Sequence, residues 1–250
     1  MSIKSFKRLE KKFILNHQQY NELIPKLLKY MNPDKHCKCG KNYNIYNIYY
    51  DTKDNDVIRH SISKPYYKEK LRLRSYTIPT NLDSKVFLEL KKKINGIVNK
   101  RRVIMTLGEV YDFLDYGKRP SFNDYTNEQV IKEIEYYLSK NKVYPTVYIG
   151  YTRNAFFGKE DSDFRLTFDS KIITRRHDLS LESGCFGEDI IDENNYLMEV
   201  KFLGAIPIWF TQILSNLKIY NTHFSKYGNE YMNYCLDNKN NNNKRREKIC

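Results

Sequence analysis

No apolar run in the 250-residue chain approaches the ~18 residues of a membrane helix, so the sequence predicts no transmembrane segment of its own. The opening stretch Met1-Ser2-Ile3-Lys4-Ser5-Phe6-Lys7 lacks the apolar core of a secretion signal. Cysteine is sparse, and five residues, an odd number, do not make a disulfide framework. The closest pair, Cys37 and Cys39 in His36-Cys37-Lys38-Cys39-Gly40, has no second Cys/His pair at metal spacing and reads as a loop. A reduced, cytoplasmic compartment is the default for such a chain. Also missing are the β-α-β rhythm of a parallel sheet and the glycine/aromatic signatures of RNA-binding modules.

What is abundant is positive charge. The formal net charge is +13 and the isoelectric point about 9.3, so the partner is expected to be anionic: a nucleotide, a polyphosphate, a nucleic acid or an acidic membrane surface. An apolar content of 40%, with 22 Tyr and 13 Phe, supports a real core and excludes a disordered basic chain.

The cations are not scattered. In Lys68-Glu69-Lys70-Leu71-Arg72-Leu73-Arg74-Ser75-Tyr76, strand alternation puts Lys68, Lys70, Arg72 and Arg74 on one face and Leu71 and Leu73 on the other. The same spacing by two recurs in Arg8/Glu10/Lys12, Glu89/Lys91/Lys93, Lys100/Arg102, Arg165/Thr167/Asp169 and Glu199/Lys201. An ordinary half-exposed sheet would carry mixed polar residues on its wet face. Here that face is nearly all Lys, Arg and Glu, which favours a functional surface.

Along the chain, strands are predicted over 6–15, 43–51, 68–76, 86–93, 99–104, 146–157, 163–172 and 196–203. A helix follows Asn16, with a kink or break at Pro25. A helical insert covers 106–142, and Pro207 opens an amphipathic helix in which Trp209 is core. Asn95-Gly96 joins two basic strands by a turn. The expected fold is therefore α+β: one domain over 1–236 and a disordered basic tail over 237–250. Eight strands suffice to close an antiparallel β-barrel with helices packed outside. A barrel interior full of cations cannot be dry, so it would be a wet tunnel neutralised by a ligand.

In that order, Glu10-x-Lys12, Lys70-Leu71-Arg72-Leu73-Arg74-Ser75-Tyr76, Phe87-Leu88-Glu89-Leu90-Lys91-Lys92-Lys93, Lys100-Arg101-Arg102, Tyr151-x-Arg153, Arg165-Leu166-Thr167-Phe168-Asp169, Met198-Glu199-Val200-Lys201 and Phe224-Ser225-Lys226-Tyr227 resemble the VTC-type polyphosphate polymerase domain of the triphosphate tunnel metalloenzyme superfamily. The resemblance implies an eight-stranded tunnel, a divalent metal (Mn²⁺ or Mg²⁺), and transfer of the terminal phosphate of ATP to a growing polyphosphate chain. It implies Arg72, Arg74, Lys91, Arg165 and Lys226 at the reacting phosphate. Lys12, Arg59, Lys70, Lys100, Arg102, Tyr151, Arg153 and Lys201 would bind the substrate. Arginine suits bidentate grip on phosphate, and lysine adds point charge. Glu199 is the favoured metal ligand, and Glu10 and Glu89 are either further ligands or ion-pair partners of the cations.

ATP, polyphosphate, phosphate or pyrophosphate are the expected ligands, and no nucleic acid is expected. Eukaryotic relatives carry an accessory phosphate-sensing domain and a membrane segment that are absent here, so a lone domain at the inner face of a membrane would use a membrane-protein partner. Two other functions fit the same charge pattern: a tripolyphosphate or nucleoside triphosphate phosphohydrolase, and a non-enzymatic polyanion- or RNA-binding module.

Overall fold

A computed structural model describes residues 8–35, 37, 42–95 and 97–247. Eight long strands carry the fold: β1 (Arg8–Leu15), β3 (Tyr43–Asp51), β4 (Tyr67–Ser75), β5 (Lys85–Ile94), β6 (Ile97–Thr106), β7 (Tyr144–Gly158), β8 (Arg165–Arg175) and β10 (Tyr196–Leu203). Three short strands accompany them, β2 (Met31–Pro33), β9 (Glu188–Asp189) and β11 (Asn221–Thr222). The helices are α1 (His17–Leu27), α2 (Asp56–Ile62), α3 (Leu107–Tyr116), α4 (Tyr125–Lys140), α5 (Ile208–Asn216) and α6 (Lys226–Glu247).

All pairings are antiparallel, in the order β11-β1-β10-β8-β7-β3-β4-β5-β6, with β2 added to β7 and β9 to β8. The expected closed barrel is not formed. Cα atoms of β1 and β6 approach within 8 Å, yet no ladder joins the two strands. The outer edge of β1 is taken at Lys12 and Phe13 by β11. The result is an open, tunnel-like sheet.

Alternation separates the two faces of this sheet as the sequence predicts. Leu71, Leu73, Leu88, Leu90, Val103 and Met105 are buried outside it, against Val110 and Phe113 of α3 and Val130, Ile131, Ile134 and Tyr137 of α4. On the other flank Phe13, Leu166, Phe168, Met198 and Val200 bury against Leu23 and Leu27 of α1 and Phe210 and Leu214 of α5. Each such side chain contributes roughly 1.5–3 kcal/mol when fully buried, so these two outer layers hold the walls without using the interior.

Local signals explain the helices. Asn16 and Gln19 close a capping box on α1, and Thr106 and Glu109 do the same on α3, which ends at Gly117 with φ +68°. α1 runs through Pro25 instead of breaking there, but stops two residues later, and Met31 leaves the helix to join β2. Trp209 stacks on Tyr30 at 4.2 Å and packs on the apolar cluster, as core. α6 continues through Glu247 into the stretch whose composition predicts disorder, because extending an anchored helix costs little once its first turns are packed. Residues 248–250, like Cys39 and Gly96, lie outside the described residues.

One irregularity shapes the interior. The β7/β8 register slips between Gly150 and Thr152, and Lys171 takes φ +49°. The slip turns Lys171 outward and lets Ile172 join Ile45, Val147, Ile149, Leu197, Phe224 and Tyr227 in an apolar plug. Ile58 of α2 packs into the same cluster. The charged stretch of the interior is therefore bounded by a dry one.

Candidate active site

Eleven cations line a space of about 550 Å³ enclosed by the sheet: Lys12, Lys70, Arg72, Arg74, Lys91, Lys100, Arg102, Arg153, Arg165, Lys201 and Lys226. Tyr151, Glu10 and Glu199 line it with them. Every predicted site residue is thus gathered at one place except two. Glu89 is fully buried behind the lining. Arg59 is on α2, opposite the buried Val57, Ile58 and Ser61, more than half exposed and paired to Asp56 at 3.7 Å.

The wall formed by β4, β5 and β6 stacks its charges in cross-strand rows. Arg72, Glu89 and Arg102 are in register, and so are Lys70, Lys91 and Lys100 one step along. Glu89 serves the first row. Arg72 donates to one carboxylate oxygen at 2.7 Å through Nε; Arg102 and Lys100 reach the other at 2.5 and 2.7 Å. Burial opposes the charge of Glu89, but Arg72, Arg74 and Lys100 outweigh it and hold the carboxyl far below its usual range. In the second row Lys70 and Lys91 make no hydrogen bond or ion pair among the described residues. Burial, with Lys68 and Lys91 nearby, lowers Lys70 to about 7. Burial lowers Lys100 to about 8 against the pull of Glu89. Lys91 also falls through burial, partly offset by Glu10, although water reaches it along the tunnel.

Three side chains orient Arg74 and Arg72. Asn47 accepts from Arg74 Nε at 2.8 Å, Tyr151 accepts from Arg74 at 3.1 Å, and Tyr49 accepts from Arg72 at 3.1 Å. Of these, Tyr151 was expected and Asn47 and Tyr49 were not. Asp169 is the third addition: fully buried, it takes both nitrogens of Arg153 at 2.6 and 2.7 Å and Lys226 at 2.5 Å. Burial opposes its charge, but Arg153 and Lys226 overcome it and lower the carboxyl. Asp169 shares its alternation with Arg165 and Thr167, so a signal was present. Nothing in the spacing distinguished a lining residue from a buried anchor.

The opposite wall, β1, β10 and β8, is looser. Lys12 faces Glu199 and Glu10 faces Lys201 across the ladder. Glu199 meets Lys12 at 3.3 Å and Lys226 at 3.5 Å; Glu10 meets Lys12 at 3.5 Å and Lys201 at 3.9 Å. Burial opposes ionisation of Glu199, but Lys226, Lys12 and Arg153 hold it well below the carboxylate range. Lys226 itself is raised by Asp169 and Glu199 despite its burial. Arg165 lies at one mouth, over the Phe157 ring at 4.6 Å and 3.4 Å from Asp34.

These contacts decide which carboxylates suit a divalent metal. Mg²⁺ and Mn²⁺ take hard oxygens and commonly bind through one or two carboxylates with substrate phosphates completing the shell. Glu199 and Glu10 fit: both carboxylates face the space and are held by long ion pairs. Glu89 does not, since Arg72, Arg102 and Lys100 occupy both its oxygens. No group of three or more acidic, His or Cys side chains that could hold a metal ion clusters among the described residues.

By architecture this is an open, tunnel-like antiparallel sheet with helices packed outside it. A candidate adenylate cyclase from Bacillus halodurans shares it with a TM-score of 0.52 at 15% identity, over 88% of this chain and 95% of that one. A candidate adenylate cyclase from Vibrio parahaemolyticus aligns with a TM-score of 0.45 at 11% identity, over 91% of this chain and 99% of the other. Comparison with curated protein sequences finds no match. The VTC domain matches residues 7–234, and the chain belongs to the VTC domain family. No helix among the described residues is long and apolar enough to cross a membrane.

Proposed function

We propose that this chain is a metal-dependent polyphosphate polymerase that moves the terminal phosphate of ATP onto a polyphosphate chain held in the tunnel. The observation that carries this reading is the charge imbalance of the enclosed space, where eleven cations meet, among the described residues, five acids: Glu10, Glu199, Glu89, Asp169 and Asp34. Such a cavity is stable only when a multivalent anion fills it.

Phosphoryl transfer needs positioning and charge neutralisation more than covalent help from the protein. Arg72, Arg74, Arg102 and Arg153 are pre-oriented by Glu89, Asn47, Tyr76 and Asp169 and would grip phosphate oxygens without reorganising. Lys70, Lys91 and Lys100 would hold the chain behind the reacting group. Glu199 and Glu10 would hold Mn²⁺ or Mg²⁺, which when bound withdraws charge from phosphate oxygens.

Polymerase is favoured over phosphohydrolase by the state of the acids. Glu89, Asp169 and Glu199 are all held below their usual range by surrounding cations. Carboxylates so depressed are poor general bases for activating water. A phosphate acceptor is already an anion and needs no base. Incubation with ATP and Mn²⁺, followed by gel sizing and free-phosphate assay, tests the reading. Long chains that vanish with a chelator are expected. Free phosphate alone would mean a hydrolase, and salt-sensitive binding without turnover would mean a polyanion-binding module.

A further inference from the structure

The two mouths of the tunnel differ in chemistry. Where α2 and α6 approach β1, β4 and β5, a second space of about 760 Å³ is ringed by Lys64, Lys68, Lys93 and Lys11. It continues the tunnel, since Lys12, Lys70 and Lys91 line both spaces.

The other mouth is aromatic. The upper ends of three adjacent strands, β3, β4 and β5, present Tyr43, Tyr76 and Phe87, all half-buried. Tyr43 and Tyr76 have ring centroids 6.1 Å apart, and Tyr76 meets Phe87 edge-on at 5.3 Å. Tyr43 and Tyr76 line the phosphate-sized space itself, beside Arg74 and Arg153. Arg102 couples the two chemistries. Its guanidinium lies 4.5 Å from the Phe87 centroid, donates to the Tyr76 hydroxyl at 3.1 Å and pairs with Glu89. An inorganic chain has no use for aromatic rings, whereas a purine joined to a triphosphate does.

We propose that the aromatic rim of Tyr43, Tyr76 and Phe87 binds the nucleobase of a nucleoside triphosphate whose phosphates lie against Arg74, Arg102 and Arg153. The assignment rests on the phosphate-binding reading of the tunnel. It adds the orientation of the donor: base at the aromatic mouth, phosphate tail directed toward the lysine mouth.

The test compares two ligands by calorimetry, a non-hydrolysable ATP analogue and inorganic tripolyphosphate. Tyr43→Leu should weaken the nucleotide about tenfold, the size of one lost base–ring stack, and leave tripolyphosphate within about twofold of wild type. Tyr43→Phe should keep nucleotide affinity, because the ring remains. Equal loss for both ligands, or loss for neither, overturns the aromatic-rim assignment while leaving the phosphate site standing. Wild-type protein that binds neither ligand overturns the tunnel reading and this inference with it.

Discussion

Two carboxylates on the inward-turned faces of the same sheet, one behind the lining and one in it, are built for different work. Glu89 is enclosed by Arg72, Arg102 and Lys100 at hydrogen-bonding distance, with no solvent exposure. Glu199 is met only at 3.3 and 3.5 Å, by Lys12 and Lys226, and stays partly accessible. The first has no coordination capacity left and holds cations in place; the second keeps capacity for a metal. The difference teaches that a glutamate among cations is assigned by counting its occupied lone pairs, not by its presence on the lining face.

Removing the saturated carboxylate should have the largest effect. Glu89→Ala leaves a buried group of cations without its counter-charge, and a loss of about 3–5 kcal/mol is expected, read from urea unfolding. If Glu89→Ala unfolds at wild-type urea concentrations, the contrast between the two carboxylates is broken. The same contrast predicts acid behaviour. The folded-state value of Glu89 is depressed, so its stabilisation is present above the ordinary carboxylate value of 4.5 and is lost as pH falls below it. Unfolding followed from pH 6 to 3 should be steeper in wild type than in Glu89→Gln.

Next comes Glu199→Gln. Turnover should drop roughly 10²–10³-fold, the scale of one lost electrostatic contributor, with the unfolding midpoint near wild type because Asp169 still pairs Lys226. Restored turnover at high Mn²⁺ would sharpen the metal assignment, whereas unchanged turnover would remove it.

A smaller effect is tied to Lys70 in the lysine row. Lys70 titrates near 7 in the free protein, and a bound polyanion must raise that value. Affinity for tripolyphosphate should therefore fall as pH rises above 7, by at most about tenfold per pH unit. Lys70→Met should flatten the curve; a pH-independent wild type would show that no phosphate lies beside Lys70. The smallest effect belongs to Arg59→Ala, an exposed residue paired to Asp56. Stability should change by less than about 0.5 kcal/mol, and tripolyphosphate affinity should not change.

Much of this was legible in the chain. The alternation of charged and apolar residues assigned the inward and outward faces of Lys70–Arg74, Glu89–Lys93 and Arg165–Asp169 because a strand has a two-residue period wherever it lies. Ranges such as Tyr43–Asp51 and Tyr196–Leu203 coincide with the observed strands for the same reason. Arg59 was misleading because α2 follows helical periodicity, so a position near the tunnel in sequence points away from it in space.

What the sequence by itself determined is the identity of the lining, since side-chain direction along a strand is a local property of the backbone. Only the tertiary structure decided three further matters: that β1 and β6 leave the sheet unclosed, that Glu89 and Asp169 are consumed by cations on neighbouring strands, and that aromatic rings gather at one mouth. Each depends on the register between strands distant in the chain, and register is set by how whole faces pack, which no single segment encodes.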